Sequence, residues 1–448
     1  MNRTTNMTVG NPTKLILSFA FPLIIANLGQ QLYTIVDAII VGKGVGVEAL
    51  AAVGATDWAY WFALWTIGAL TQGFAIPISQ YFGEGNKKNL RKAISSSIIL
   101  CASIGIALTV FCLVAARPIL HLLQTPENIF DSALSYLLIM YSGILIVMVY
   151  NMASSILRAL GDGKTPLVAI MIAGFTNIVL DSLFVLGFHW GIKGAAIATI
   201  TAQLLAFLYC LQVLRKVEII HLERPDWTPD SSIIKAECSL GIPLALQHIL
   251  IVIGGMVLQF SINQHGFVFI AGFTATNKIY GLLESSALSL GYAISTYTAQ
   301  NFGAGLYDRI RTGLKRTLQI AMVIAFTITV VMIAAGKQIL MLFIDSSSAD
   351  ATGVLDTAYR YLFVMSVLLF ILYLLHIFRN TLQGLGNASI PFWSGVLEFG
   401  ARIIVATVFA SAFGKSAIYF AEPGAWFAAT VLLTIVCLQK VHQLPHNS

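Results

Sequence analysis

Ser79-Gln80-Tyr81-Phe82-Gly83-Glu84-Gly85 returns 220 residues later as Ala299-Gln300-Asn301-Phe302-Gly303-Ala304-Gly305. Leu157-Arg158-Ala159-Leu160-Gly161, followed by Pro166, returns at an offset of 225 as Leu382-Gln383-Gly384-Leu385-Gly386, followed by Pro391. Pro22-Leu23 returns as Pro243-Leu244. Each pair falls at the same place in the hydropathy pattern. The chain therefore reads as a duplication whose two copies run in the same order. Two helical lobes with a cavity between them are expected, a common plan among membrane transporters.

Composition supports that expectation. Of 448 residues 57% are hydrophobic and only 10% charged, and the mean hydropathy is +0.82. A soluble domain carries about 25% charged residues, so most of this chain must face lipid or other buried helices. A membrane span needs about 20 apolar residues. Twelve candidates satisfy this, at 15–42, 50–78, 93–116, 131–157, 165–188, 192–214, 237–262, 268–298, 314–336, 355–381, 391–413 and 417–438. The predicted fold class is an all-α membrane protein of twelve transmembrane helices in two pseudo-symmetric six-helix lobes.

Charge alternates between successive connections. Both termini and the even-numbered connections hold most of the Lys and Arg, among them Arg3, Lys87, Lys88, Arg91, Arg158, Arg215, Arg309, Arg311 and Arg379. The opposite face holds only Lys43, Arg117, Lys193, Lys337 and Lys415. The positive-inside rule then puts both termini in the cytoplasm of a multi-pass membrane protein. Topology accounts for the net charge of +6, so no nucleic-acid partner is expected. Residues 1–13 are polar and the first apolar stretch is too long for a signal-peptide core, so it is expected to remain as the first helix. The five cysteines are scattered singly, which argues against a disulfide or metal framework.

The stretch 215–236 carries mixed charge with Pro225 and Pro229 and reads as the linker between copies. The boundary is placed near 222, giving an N-terminal lobe 1–222 and a C-terminal lobe 223–448, each of six helices. The Gly-rich turns after Ser79 and Ala299 lack the Gly-Lys-Ser/Thr order of a phosphate-binding loop. Transport, if that is the activity, must then draw on an ion gradient.

Charged residues inside spans are costly and usually face a partner or a polar path. Asp37 lies on the first span in a stripe with Asn27, Gln30 and Thr34, spaced to share one helix face. Asp181 lies on the fifth span, one turn after Asn177. Asn151 on the fourth span and Thr199 and Gln203 on the sixth add polar faces. Two carboxylates with amide and hydroxyl oxygens suit a proton or a hard cation such as Na⁺. The second copy lacks these acids; it carries Glu398 and Arg402 on one face of the eleventh span, a pair able to neutralise itself, and Glu284 on the eighth. These three are candidates for substrate binding or gating, with Gln30, Thr34 and Gln203. Pro22 and Pro243 each remove a backbone bond near the start of a copy and permit bending there. No catalytic residue and no cofactor is expected.

Gln31-Leu32-Tyr33-Thr34-Ile35-Val36-Asp37-Ala38-Ile39-Ile40-Val41-Gly42, Leu157-Arg158-Ala159-Leu160-Gly161-Asp162 and Leu382-Gln383-Gly384-Leu385-Gly386-Asn387, with twelve spans in two parallel copies, resemble the MATE (multidrug and toxic compound extrusion) family. The resemblance covers essentially the whole chain. It implies cation-coupled export of amphipathic, often cationic organic compounds, with H⁺ or Na⁺ as coupling ion. It makes Asp37, Asn151, Asn177, Asp181 and Thr199 the coupling network, with possible Na⁺ at Asp37 and Asp181, and Pro22 the bending proline. The positions where one branch carries second-lobe acids, near Ile251 and Leu372, are apolar here, so the chain is similar to DinF-like and MepA-like bacterial members. The implied partners are the lipid bilayer and small amphipathic substrates, and the chain is expected to act as a monomer. The alternative is a lipid-linked oligosaccharide flippase of the same superfamily, whose anionic cargo calls for several deep cations. An enzyme has no support from any nucleophile–base pair, Asp-rich motif or metal-ligand spacing.

Overall fold

The computed structural model describes residues 4–344 and 350–446; Arg3 lies outside them. All regular structure among the described residues is helical. The elements are α1 (Pro12–Gly44), α2 (Val47–Glu84), α3 (Lys87–Leu122), α4 (Glu127–Ser142), α5 (Ile144–Ala159), α6 (Lys164–Asp181), α7 (Gly191–Leu214), α8 (Ser231–Asn263), α9 (Phe267–Gly303), α10 (Tyr307–Leu340), α11 (Ala351–Val367), α12 (Leu369–Gly384), α13 (Ser389–Ile404), α14 (Ala410–Phe413) and α15 (Ala421–Gln443).

Among the described residues eight helices are long and apolar enough to cross a membrane, and two bent pairs, α4 with α5 (44°) and α11 with α12 (49°), each pass as one span, giving up to ten. One of the eight, Ser389–Gln443, has 55 residues. At about 1.5 Å per residue that is more than twice the ~30 Å hydrocarbon thickness. It contains a break at Gly414, with φ of 72°, and a tighter 3₁₀ turn over Gly414–Phe420, so it supplies two segments. With the more polar α9, the helices group into the twelve segments expected from hydropathy. The chain is a multi-pass membrane protein.

The repeated sequence motifs are helix-stop, helix-start devices. After α5 and after α12, Gly161 and Gly386 both take φ of +80°, a conformation open to glycine without Cβ strain. Asp162 then caps α6: one carboxylate oxygen accepts the N–H groups of Lys164 (3.0 Å) and Thr165 (2.9 Å), the other the Thr165 hydroxyl (2.5 Å). Asn387 does the same for α13, accepting the N–H of Ile390 at 3.1 Å. Gly161 also leaves no room for a side chain, since a Cβ would stand 2.1 Å from the Thr5 carbonyl oxygen.

The chain forms two compact units. The first takes in the chain up to Asn6 and Phe21–Ala245, the second Met7–Ala20 and Leu246 onward. Whereas hydropathy and linker composition place the boundary near 222, the units part inside two helices, α1 beside Pro22 and α8 beside Pro243. Within the first unit α2 packs on α3, α4 and α5, and α6 on α7; within the second α9 packs on α10, α11 and α12, and α13 on α15. Each pairing in one unit has its counterpart in the other, as duplication requires. In the first unit α2 is the core helix, its most apolar window 67% buried. The corresponding windows of α3 and α10 are 17% and 11% buried. Apolar surface of that extent is stable only against lipid or a partner.

The linker is ordered against α3. Arg91 pairs with Glu223 (3.3 Å), Lys92 with Asp230 (3.1 Å), and the Ser95 hydroxyl donates to the Asp226 carbonyl (2.5 Å). Asp230, just before α8, accepts from the Ser232 hydroxyl and N–H as well as from Lys92. These bonds hold its carboxyl down at about 2.

Candidate functional site

In the first unit α1 and α6 run in the same direction, as their contacts show. Gly174 lies against Tyr33, where a Cβ would stand 3.0 Å from the ring. Further along, Gly44 lies against Val185 and Leu186, where a Cβ would stand 2.5 Å from Leu186 Cδ2. Between these contacts the carboxyls of Asp37 and Asp181 face each other within hydrogen-bonding range. Asp181 is the fully buried last residue of α6, and the chain widens immediately after it into a π-helical stretch, Ser182–Gly187. Such widenings concentrate at functional sites. The second unit repeats the feature at Val405–Phe409, without the acid.

Two ionised carboxylates are both acceptors, so Asp37 and Asp181 can bond only when one of them holds a proton. Both oxygens of Asp181, Asp37 Oδ1, Asn177 Oδ1 and Gln203 Oε1 are buried and receive no hydrogen bond. Buried acceptors without donors are destabilising. A proton shared between the acids, or a hard cation among the oxygens, would relieve that cost. Among the described residues no group of three or more His, Cys, Asp or Glu forms a metal cluster. A bound cation would thus rely on two carboxylates plus neutral oxygens, a donor set that fits Na⁺ better than a transition metal.

The structure joins Asn177 to Thr199, whose hydroxyl oxygen receives the Asn177 amide at 3.3 Å and whose proton goes to the Ala195 carbonyl at 3.1 Å. Gln203 follows one turn later on α7. Asn151 and Thr34 are turned to their own helices, donating to Val147 (2.9 Å) and Gln30 (3.0 Å), while the Gln30 side chain reaches Tyr33. Sequence reasoning omitted two neighbours of the acids, and a third acid close to one of those neighbours. Tyr33 is close to Asp37, and Tyr136 of α4 lies within electrostatic reach of Asp37, Asp181 and Asp57 of α2. Asp57 was findable by the rule applied to Asp37, an acid inside an apolar span. The tyrosines carry no comparable sequence signal.

In the second unit Glu398 and Arg402 do not simply neutralise each other. They stand 3.8 Å apart, and each has a closer partner. Arg402 forms a forked pair with Glu422, at 3.1 and 2.8 Å, and also reaches the Ile251 carbonyl at 3.4 Å. Glu398 is bonded by Arg379, which also donates to Ser394 at 3.2 Å. Arg379 is therefore no loop charge: it is 5% exposed on α12, drawn inside because Glu398 and Ser394 satisfy it there. Glu284 lies 3.7 Å from the buried His376 Nε2, which has no hydrogen-bond partner.

Comparison with known proteins places these features in a wider group. The MatE family profile matches the chain twice, over residues 22–183 and 243–408, each match starting at one of the paired prolines. A probable multidrug resistance protein YpnP from Bacillus subtilis (strain 168) is 30% identical over 351 residues, 78% of either chain. An FAD transporter from Shewanella oneidensis is 24% identical, covering 69% of this chain and 70% of that one. Among solved structures, a MOP superfamily transporter from Pyrococcus furiosus, described as having a binding pocket of reverse polarity, superposes with a TM-score of 0.92 at 22% identity, over 99% of this chain and 100% of that one.

Proposed function

The chain belongs to the MatE family of multidrug efflux transporters, and from that premise we propose that it is a secondary antiporter. In this reading it exchanges H⁺ or Na⁺ for amphipathic, often cationic organic compounds across the cytoplasmic membrane, with both termini in the cytoplasm. The observation that carries it is the Asp37–Asp181 pair, two facing carboxyls among buried acceptor oxygens that lack donors.

A proton or Na⁺ between the acids cancels their repulsion and draws α1 toward α6. Without the ion, the same negative charge attracts an organic cation. Binding of one ligand expels the other only if each prefers a different conformation. Pro22 supplies the place for that difference, because it lacks the N–H that would bond the Ser18 carbonyl. Ion binding would favour bending there, and the inward ion gradient would drive export. Asn177, Thr199 and Gln203 contribute neutral oxygens to the coupling site. Glu284, Glu398 and Arg402 act in substrate passage or gating in the second unit.

The relative named as an FAD transporter motivates a second reading, anionic cargo, as does the flippase alternative. Among the described residues Arg379 and Arg402 are the buried Lys or Arg side chains that could receive an anion, but Glu398 and Glu422 already hold them. That pairing favours the cationic reading.

The test is ethidium efflux from proteoliposomes under an imposed pH gradient, then an imposed Na⁺ gradient. Efflux driven by one gradient and lost in Asp37→Asn supports the antiporter and names its ion. Correctly inserted protein that is silent under both gradients refutes it.

A further inference from the structure

A second buried acid lies in the first unit, away from the Asp37–Asp181 pair. Glu237, in the second turn of α8, is 0% exposed. It sits against Ser97 of α3, also 0% exposed, with Ser97 Oγ 2.7 Å from Glu237 Oε1 and 2.8 Å from the Ala93 carbonyl oxygen. Glu237 Oε2 is buried with no hydrogen-bond partner.

A serine hydroxyl has one proton and cannot donate to both neighbours. If Glu237 is ionised, one of the two short contacts is an oxygen pair with no hydrogen between them, and Oε2 is a buried anionic oxygen with nothing to balance it. If Glu237 carries a proton on Oε1, every contact is satisfied: Glu237 donates to Ser97, Ser97 donates to Ala93, and Oε2 becomes a neutral carbonyl oxygen.

Among the described residues no Lys, Arg or His pairs with Glu237; the cations at this end of α3, Arg91 and Lys92, are held by Glu223 and Asp230. Cys101 of α3, Tyr81 of α2 and its neighbour Cys238 are titratable groups within its electrostatic reach, and none of these three is a cation. One turn further along α8, Gly241 is pressed onto α2: a Cβ on Gly73 would stand 2.4 Å from Gly241 Cα, and a Cβ on Gly241 2.4 Å from the Phe74 ring. This backbone-to-backbone contact holds the first segment of α8 closely against α2. Two residues beyond Gly241 is Pro243, where α8 loses a helix bond shortly before it passes from the first unit to the second.

We propose that Glu237 is a second proton-carrying group of the transport cycle, distinct from Asp37 and Asp181. It holds its proton while the first segment of α8 is packed on α3. When that packing opens at the side where α8 begins, water reaches Oε1, the O–H bond breaks, and the proton leaves on a water molecule as hydronium. The carboxylate left behind is hydrated, and repacking requires it to take a proton back. The transport role rests on the antiporter reading; the proton on Glu237 rests on the geometry alone.

Two measurements test this. The first is infrared spectroscopy of the reconstituted Asp37→Asn/Asp181→Asn protein at neutral pH, with and without Glu237→Gln. A protonated-carboxyl band that the added substitution removes is expected, and absence of such a band overturns the proposal. The second is the pH profile of ethidium efflux for Glu237→Gln alone. Its amide can still donate to Ser97, so α8 stays packed, but it cannot release a proton. The expected result is loss of one step of the profile on the side where α8 begins. A wild-type profile and rate in this variant overturns the proposal while leaving the antiporter intact. Wild-type protein silent under both gradients instead overturns the antiporter reading, and the transport role of Glu237 with it.

Discussion

Asp37 on α1 and Asp181 at the end of α6 present their carboxyls to each other, and no donor among the described residues reaches either oxygen of Asp181. Native interiors rarely leave such acceptors unmet. The arrangement is unfavourable in the empty, fully ionised state and favourable once a positive charge enters, which is the property a coupling site needs.

It follows that Asp181→Asn should raise stability and abolish transport. The amide supplies the missing donor to Asp37, a hydrogen bond to a charged group worth roughly 1.5–3 kcal/mol. Thermal unfolding in detergent and gradient-driven efflux check both halves. A variant that is destabilised and still transports contradicts the assignment.

Pro22→Ala should restore the bond to the Ser18 carbonyl and stiffen α1. Efflux is expected to fall several-fold with ethidium binding retained, measured by transport and by fluorescence polarisation respectively. Unchanged transport would mean that the proline is a static feature.

Arg379→Met leaves Glu398 with only its 3.8 Å contact to Arg402, which Glu422 already engages. Breaking a buried pair from one side costs about 3–5 kcal/mol, whereas replacing both partners with apolar groups can be neutral. The single variant should therefore melt well below the wild type, and Arg379→Met/Glu398→Met should recover most of the difference.

Two glycines with similar backbone angles separate strain from crowding. Gly85 (φ +77°) has open space where a Cβ would go, whereas Gly161 (φ +80°) has the Thr5 carbonyl there. Gly85→Ala should cost about 1–2 kcal/mol, the left-handed penalty alone. Gly161→Ala should cost more and release Thr5, seen as faster amide exchange at Thr5, whose N–H is now bonded to the Leu160 carbonyl at 3.1 Å.

Acid should loosen the start of α8. The Asp230 carboxyl is depressed to about 2, by Ser232 first and Lys92 second. A depressed folded value means its contribution is fully present above the ordinary carboxylate range near 4. The contribution is then lost as pH falls through about 2. Exchange of the amides at 232–234 should accelerate over that window, and Asp230→Asn should remove the pH dependence.

The duplication was legible because its motifs carry backbone constraints. Gly161 and Gly386 hold the same left-handed angle and are followed by capping Asp162 and Asn387, so substitution is restricted at both places. Helix limits were legible because bilayer thickness fixes a minimum apolar length. Hydropathy carries no direction, however, so the bends between α4 and α5 and between α11 and α12 were invisible. So was the widening after Asp181. At the site, helical spacing put Asn177 and Asp181 on one face, but it could not say which helix that face meets. Tyr33, Tyr136 and Asp57 went unassigned for that reason, and Arg379 passed for a loop charge because its partner lies on a different helix.

The exchange of helix segments between the two units has a consequence for biosynthesis. The first unit is not complete until Ala245 has been made, well after the sequence repeat has begun its second copy. Met7–Ala20, synthesised before Phe21–Ala245, belongs to a unit whose remaining residues begin at Leu246. Neither copy can finish folding as it is translated; each waits for a piece of chain encoded with the other. A gene cut at the linker would thus yield two halves that are each missing one strip of their own interior, and that become whole only when made together.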